Sequence, residues 1–221
     1  MLEVLVRGEK VTVTDEQVKQ FKELAFEIAE PYFNLINDPT IRDFAKAMWE
    51  KAPDYFFVIP ASSSGKYHAE WSTDLGGLVR HVLMGVQAAY DLSFTFGLTD
   101  KETDIALAAM FGHDILKYGI DYDPRYMDMH PFLPRSYYGY KYSEGYLGDK
   151  FDTTSEEFDA IMTAIERHMG NIAEGSWTSV GGVKPETPLQ YVVHIADYIA
   201  SRKKFVMTDY VSGFNYWGAR S

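Results

Sequence analysis

Residues 105–119 read IALAAMFGHDILKYG, an apolar, helix-forming run broken by the adjacent pair His113-Asp114. A helix that is apolar on every side has to be buried against other elements. This run therefore calls for a core built around it, and burial carries the Asp114 carboxylate inside. A buried carboxylate is costly unless positive charge meets it. Neighbouring imidazole and carboxylate heads are donors that suit a divalent metal ion, so the rest of the chain has to be searched for further ligands.

The chain has six histidines, His68, His81, His113, His130, His168 and His194. His81 follows GGLVR and opens an amphipathic run, with Leu78, Val79, Val82, Leu83, Val86 and Ala89 at helical spacing. Phe158, Ile161, Ile165 and His168 advance by three or four residues, so His168 continues an apolar stripe. Asp197 does the same, four residues after Val193 and three before Ala200. His130 lies in MDMHPF, where periodicity says nothing of its direction, and His194 falls slightly off its stripe and reads as structural. Any one of these taken singly reads first as a hydrogen-bonded core group. Their coincidence in one chain favours a common site.

Size and composition narrow the class. A chain of 221 residues fits one domain with a substantial core. With 46% hydrophobic and 15% aromatic residues the composition is that of an ordinary globular protein. No apolar run approaches about 18 residues, so no membrane span is expected, and MLEVLVRGEKVTVTDE lacks the pattern of a signal peptide. The absence of cysteine excludes disulfides, thiolate ligands and a thiol nucleophile, leaving nitrogen and oxygen donors and pointing to the cytoplasm. The net charge of −11 argues against a protein that tracks long nucleic acid, yet leaves room for a small nucleotide held at a metal.

Along the chain, residues 2–13 read as a hairpin around Arg7-Gly8-Glu9. Thr14 with Gln17 is a capping box for a helix ending near Pro31, and a second helix covers about 39–51. Pro53 and Pro60 bracket a turn, and 60–76 is a polar loop before the His81 helix, which runs to about Phe96. Thr99 with Glu102 opens the helix that bears His113 and Asp114. Residues 118–150, with Pro124, Pro131, Pro134 and half of the sixteen tyrosines, look too irregular for a long helix and read as a half-buried cover or a base-stacking loop. Thr154 with Glu157 is expected to cap the His168 helix, which stops at Gly170. Thr187-Pro188 starts the Asp197 helix. The expectation is an all-α bundle around a central site with a short N-terminal β-hairpin. Residues 1–59 would pack on a core of 60–203, and 204–221 form an aromatic tail that packs on its own core or on a second subunit.

Several segments together carry a resemblance: GGLVRH at 76–81, HDILKYG at 113–119, HP at 130–131, RHMG at 167–170 and HIADYIASRK at 194–203. From Pro60 to Lys203 the chain resembles the HD superfamily of metal-dependent phosphohydrolases, in particular small stand-alone members from bacteria and their phages. More distantly it is similar to the HD domain of 3′–5′ exoribonucleases. Those relatives bind polymer through a separate OB domain, for which nothing here has the length or strand pattern.

The resemblance implies an HD-domain bundle in which His81, His113, Asp114 and Asp197 hold a first divalent ion, manganese foremost, with iron, cobalt, nickel or magnesium as alternatives. His130 and His168 match positions that hold a second ion in some members, with Asp114 as the bridge. Two ions about 3.5–4 Å apart would activate a water for in-line attack on phosphorus. With a single ion, His130 and His168 would be substrate or acid–base groups. Lys117 resembles the family's HD-x-x-K lysine. It reads as a phosphate contact, and as a helix-end charge that neutralises the acidic site. Asp114 and Lys117 are thus the candidate catalytic pair.

The candidate substrate contacts are His68, Lys66, Arg80, Arg167 and Trp177, each with a plainer alternative. His68 reaches substrate or braces its loop. Lys66 follows SSSG without completing a phosphate-loop motif. Arg80 and Arg167 contact phosphate or pair with nearby acids, and Trp177 stacks on a base or covers the core. The activity implied is hydrolysis of a phosphate ester of a nucleotide or short oligonucleotide, as phosphodiesterase or phosphomonoesterase. The alternatives are nucleotide triphosphate hydrolysis and a silent nucleotide-sensing module.

Overall fold

The computed structural model describes residues 1–62, 68–143, 151–170 and 183–202. Strands β1 (Leu2–Val6) and β2 (Glu9–Val13) pair antiparallel with Val6 opposite Glu9 and Leu2 opposite Val13. The two turn residues, Arg7 and Gly8, both have left-handed φ values of 50° and 87°, which match the twist of a tight hairpin. A lone two-stranded hairpin is marginal in water. This one is anchored by Val4 and Val13, which are buried in the main core.

Eight α-helices follow among the described residues: α1 (Asp15–Phe33), α2 (Pro39–Glu50), α3 (Asp54–Val58), α4 (Gly77–Phe96), α5 (Asp100–Gly112), α6 (Leu133–Ser143), α7 (Glu156–Glu166) and α8 (Pro188–Ala200). Capping boxes at Thr14/Gln17, Thr99/Glu102 and Thr187/Gln190 start α1, α5 and α8. Helix α5 is the axis. Its residues from Asp104 to Gly112 are all buried, with α2, α4, α7 and α8 packed around it. Residues 1–59 share this core, from Val4 through Ile59. Trp49 sits at its centre, edge-on to Phe33, Phe56, Phe57 and Phe111, and its indole N–H donates to the Phe111 carbonyl at 2.9 Å. That carbonyl belongs to the last turn of α5, whose acceptors have no partner within the helix.

Five local expectations are revised. Helix α1 continues through Pro31, because burial of Tyr32 and Phe33, the latter stacked on Phe111 with ring centres 4.2 Å apart, outweighs one lost helical hydrogen bond. The segment between Pro53 and Pro60 contains the short helix α3. Helix α5 ends at Gly112, so His113 and Asp114 stand in the turns beyond it. There the bonds run Ile115 N–H to Gly112, Lys117 N–H to Asp114 and Gly119 N–H to Leu116.

The Tyr-rich segment contains an eleven-residue helix, α6. Pro134 falls in its first turn, where its missing N–H costs little, and Tyr138 is buried with its hydroxyl donating to Met48 O at 3.0 Å. Helix α7 is capped by Ser155, whose Oγ accepts from Phe158 N–H at 3.1 Å, because Thr154 is engaged with the Asp152 carboxylate. Helix α7 ends at Glu166, so His168 lies two residues past it rather than within it.

One buried carboxylate fixes the docking of α2 on α5. Asp104, 2% exposed, accepts the N–H groups of Asn37 and Asp38 at 2.9 and 2.8 Å. Asp38 in turn caps α2 through Thr40 and Ile41. Asp104→Ala strands two donors in the interior, so urea denaturation of the metal-free protein is expected to show a loss of about 2–3 kcal/mol.

Candidate metal centre

The chain enters α4 through Gly76, whose φ is +72° and whose N–H donates to Val58 O at 2.7 Å. At Gly77 a Cβ would lie 2.1 Å from the Ser72 carbonyl oxygen, so only glycine lets α4 start flush against the preceding turn. This seat sets where His81, one turn on, meets the segment after α5. That segment supplies His113, Asp114 and Lys117. A 3₁₀ turn (His130–Phe132) supplies His130, the turn after α7 supplies His168, and α8 supplies Asp197.

The six histidine and aspartate side chains meet in the interior, none more than 5% exposed. They form two trios, each offering ligand atoms within 4.8 Å of one another: His81, His113 and Asp197, and Asp114, His130 and His168. In the first, His81 Nε2 lies 3.0 Å from Asp197 Oδ1 and 3.3 Å from His113 Nε2, with 3.6 Å between His113 Nε2 and Asp197 Oδ1. In the second, His130 Nε2 lies 3.0 Å from Asp114 Oδ1 and 3.1 Å from His168 Nε2. Asp114 joins them: Oδ2 lies 3.7 Å from His81 Nε2 and 3.8 Å from His113 Nε2, while Oδ1 faces the second trio. Lys117 Nζ donates to Oδ2 at 2.6 Å.

The tautomers decide what this arrangement can hold. His113, His130 and His168 each place Nδ1 on the carbonyl of the residue three earlier, Met110, Met127 and Ile165. A carbonyl only accepts, so Nδ1 carries a proton in each ring, and Nε2 offers a lone pair whenever the ring is neutral. When both are neutral, His130 and His168 therefore point two lone pairs at each other across 3.1 Å. Such a contact is repulsive unless a metal ion or a proton on one Nε2 stands between them. Both trios could hold a metal ion, and this donor set fits one.

Charge within the cluster follows the same logic. Burial pushes the Asp114 carboxyl up, but the Lys117 ammonium and His113 outweigh it and hold it well below the usual carboxylate range. Asp197 is likewise held well down, hydrogen bonds to His113 and His81 overcoming burial. Burial also depresses Lys117, yet the Asp114 carboxylate beside it leaves its pKa raised. His168 is pushed down to about 3 by burial and by His113 and His130, so its lone pair is free at any physiological pH. His113 goes the other way. Burial lowers it, and the Asp114 and Asp197 carboxylates more than reverse that.

The remaining candidates are placed as follows. His68 is half-buried with its ring centre 5.6 Å from that of His81. Arg80 is 3% exposed and its guanidinium donates to Leu75 O at 2.9 Å, while Arg167 pairs with Glu186 at 3.1 Å and donates to Lys184 O. Both arginines thus have partners within the fold. His194 holds the His168 carbonyl through Nδ1 at 2.6 Å, a structural use. Lys66, Trp177 and the tail 204–221 lie outside the described residues. Sequence reading missed Tyr55, whose hydroxyl accepts from Tyr118 N–H at 3.0 Å and donates to Gly119 O at 2.6 Å, clamping the turn that carries Lys117. Nothing periodic in PDYFF signals that role.

Comparison with family models, with curated proteins and with solved structures returned no match. The geometry therefore stands as the guide to chemistry.

Two measurements check it. Titration with manganese, followed by elemental analysis, should give two ions per chain in the wild type and one in His168→Ala, because that variant removes a donor from the second trio only. Proton release gives the pH dependence. His113, its pKa raised, keeps a proton further into the neutral range, and a metal must displace it. Binding at the first trio should therefore release a proton, and its affinity should fall about tenfold per pH unit below the His113 pKa. Calorimetry in buffers of different ionisation enthalpy reads the proton directly.

Proposed function

We propose that the chain is a metal-dependent phosphohydrolase of the HD type, acting on a phosphate ester of a nucleotide or short oligonucleotide. The observation that supports this reading best is the Asp114 carboxylate, one oxygen turned to each histidine trio and a lysine ammonium on Oδ2. Two divalent ions at such a centre would supply a water that is acidic near neutral pH and positive charge for the phosphoryl oxygens. The mixture of neutral imidazole and hard carboxylate suits manganese, with iron, cobalt, nickel or magnesium as alternatives.

The chain's own residues do the rest. Burial of all six ligands excludes bulk water, which strengthens every charge acting on a reacting group. Backbone carbonyls behind His113, His130 and His168 fix each ring before anything binds, so no reorganisation is needed during reaction. Lys117 is mostly buried and sits on the bridging carboxylate. From there its ammonium can also meet a phosphate oxygen as a point charge. The ligand set is complete, which favours turnover over a silent sensing role. The −11 charge of the chain favours a small substrate over a long polyanion.

The test is a screen of the manganese-loaded protein against nucleoside mono-, di- and triphosphates, cyclic nucleotides, short oligonucleotides and bis(p-nitrophenyl) phosphate. Hydrolysis of one class, abolished in Asp114→Ala, is the expected result, whereas no turnover of any ester by fully loaded protein would overturn the reading. Lys117→Met should bind both ions yet lose at least about 10²-fold in kcat, the scale of one charge removed from a developing anion.

A further inference from the structure

His81 breaks the pattern of the other three ligand histidines. Its Nδ1 is buried and has no hydrogen-bond partner, while His113, His130 and His168 all have a carbonyl there. The reason lies in its position. His81 is inside α4, where the carbonyls of the preceding turn are engaged in the helix, whereas His113 and His168 stand past helix ends and His130 opens a 3₁₀ turn. A histidine that binds a metal through Nε2 needs an acceptor for its Nδ1–H to fix tautomer and ring orientation. A second buried, unpartnered nitrogen lies close by, Nδ1 of His68, on a ring whose centre is 5.6 Å from that of His81 and tilted by 58°.

We propose that His68 is the positioning residue for His81, its Nδ1 lone pair accepting the His81 Nδ1–H when the first trio holds its ion. The rings are near enough that a turn about the soft χ2 torsion of His68, with a small approach of the ring, brings the two nitrogens into an N–H···N pair. In that arrangement His68 is neutral with its own proton on Nε2, and His81 Nε2 is left as a lone pair beside Asp197 Oδ1 and His113 Nε2. Burial and His81 hold the His68 pKa down to about 3, which keeps it neutral. His68 thereby acts through the ligand, not on the substrate. The inference rests on the metal-centre reading but not on any phosphate chemistry.

The probe is manganese alone, with no substrate present. His68→Ala should weaken one of the two binding steps by about 10–100-fold, the usual effect of losing such a partner, and leave the other step unchanged. Asn and Gln separate the geometry, since an Asn amide oxygen falls where Nδ1 was and a Gln oxygen falls near Nε2. His68→Asn should restore affinity to near wild type, and His68→Gln should not. Wild-type affinities at both steps in His68→Ala would overturn the assignment. So would equal rescue by Asn and Gln, or a change confined to KM for substrate, which would make His68 a substrate contact. Should the variants fold poorly, ¹⁵N NMR of the wild-type protein loaded with zinc decides the matter. A slowly exchanging His81 Nδ1–H coupled to His68 Nδ1 supports the bond, and a rapidly exchanging, uncoupled proton overturns it. A protein inactive on every phosphate ester would leave these readouts intact.

Discussion

The Asp114 carboxylate has to be neutralised in a place water does not reach, and the architecture follows from that need. It is 2% exposed, with a lysine ammonium at 2.6 Å and imidazole nitrogens at 3.0, 3.7 and 3.8 Å. An unpaired charge at such depth would cost more than any single packing contact returns. Helices α4 and α8, the turn after α7 and the 3₁₀ turn at His130 each bring one group to the same point. Helix α5 is apolar along its buried length because its task is to carry the chain through the core and deliver this anion at its far end.

The segment that carries no recognisable motif is part of the same machine. Residues 1–59 contribute Trp49, which holds the Phe111 carbonyl in the last turn of α5, and Tyr55, which holds the turn beyond it. The backbone N–H groups of Asn37 and Asp38 hold Asp104 near the start of α5. The axis is thus gripped by the N-terminal part of the chain at both ends. Displacement of either grip would be felt at His113 and Asp114, which stand on the segment these groups hold.

How much was legible in the sequence depends on the distance over which each feature is encoded. The hairpin turn and the caps at Thr14, Thr99 and Thr187 lie within about four residues, and all can be read directly. Asp197 is legible because helical spacing continues into it, and His168 because the apolar stripe of α7 points on to it from just past the helix end. The end of α5 is not, because the group that meets its last turn, the Trp49 indole N–H on the Phe111 carbonyl, lies 62 positions away in the chain. The start of α7 is not legible to the residue, since the choice between Thr154 and Ser155 turns on which hydroxyl Asp152 takes. Helix α6 hides in a Tyr- and Pro-rich stretch whose order comes from contacts such as Tyr138 with Met48. The fates of Arg80 and Arg167 were open for the same reason, as carbonyl partners leave no trace in residue type.

The bonds from His113, His130 and His168 to Met110, Met127 and Ile165 end on main-chain oxygens. Substitution alters side chains and leaves those oxygens where they are. A scan of every position would therefore rank Met110, Met127 and Ile165 by their packing alone and see nothing of their service to the centre. That service is protected from drift at those three sites: the side chains can be exchanged over evolution while the acceptors persist. Weakening the carbonyls as acceptors, by amide-to-ester exchange one residue on, is the way to expose what ordinary genetics cannot reach.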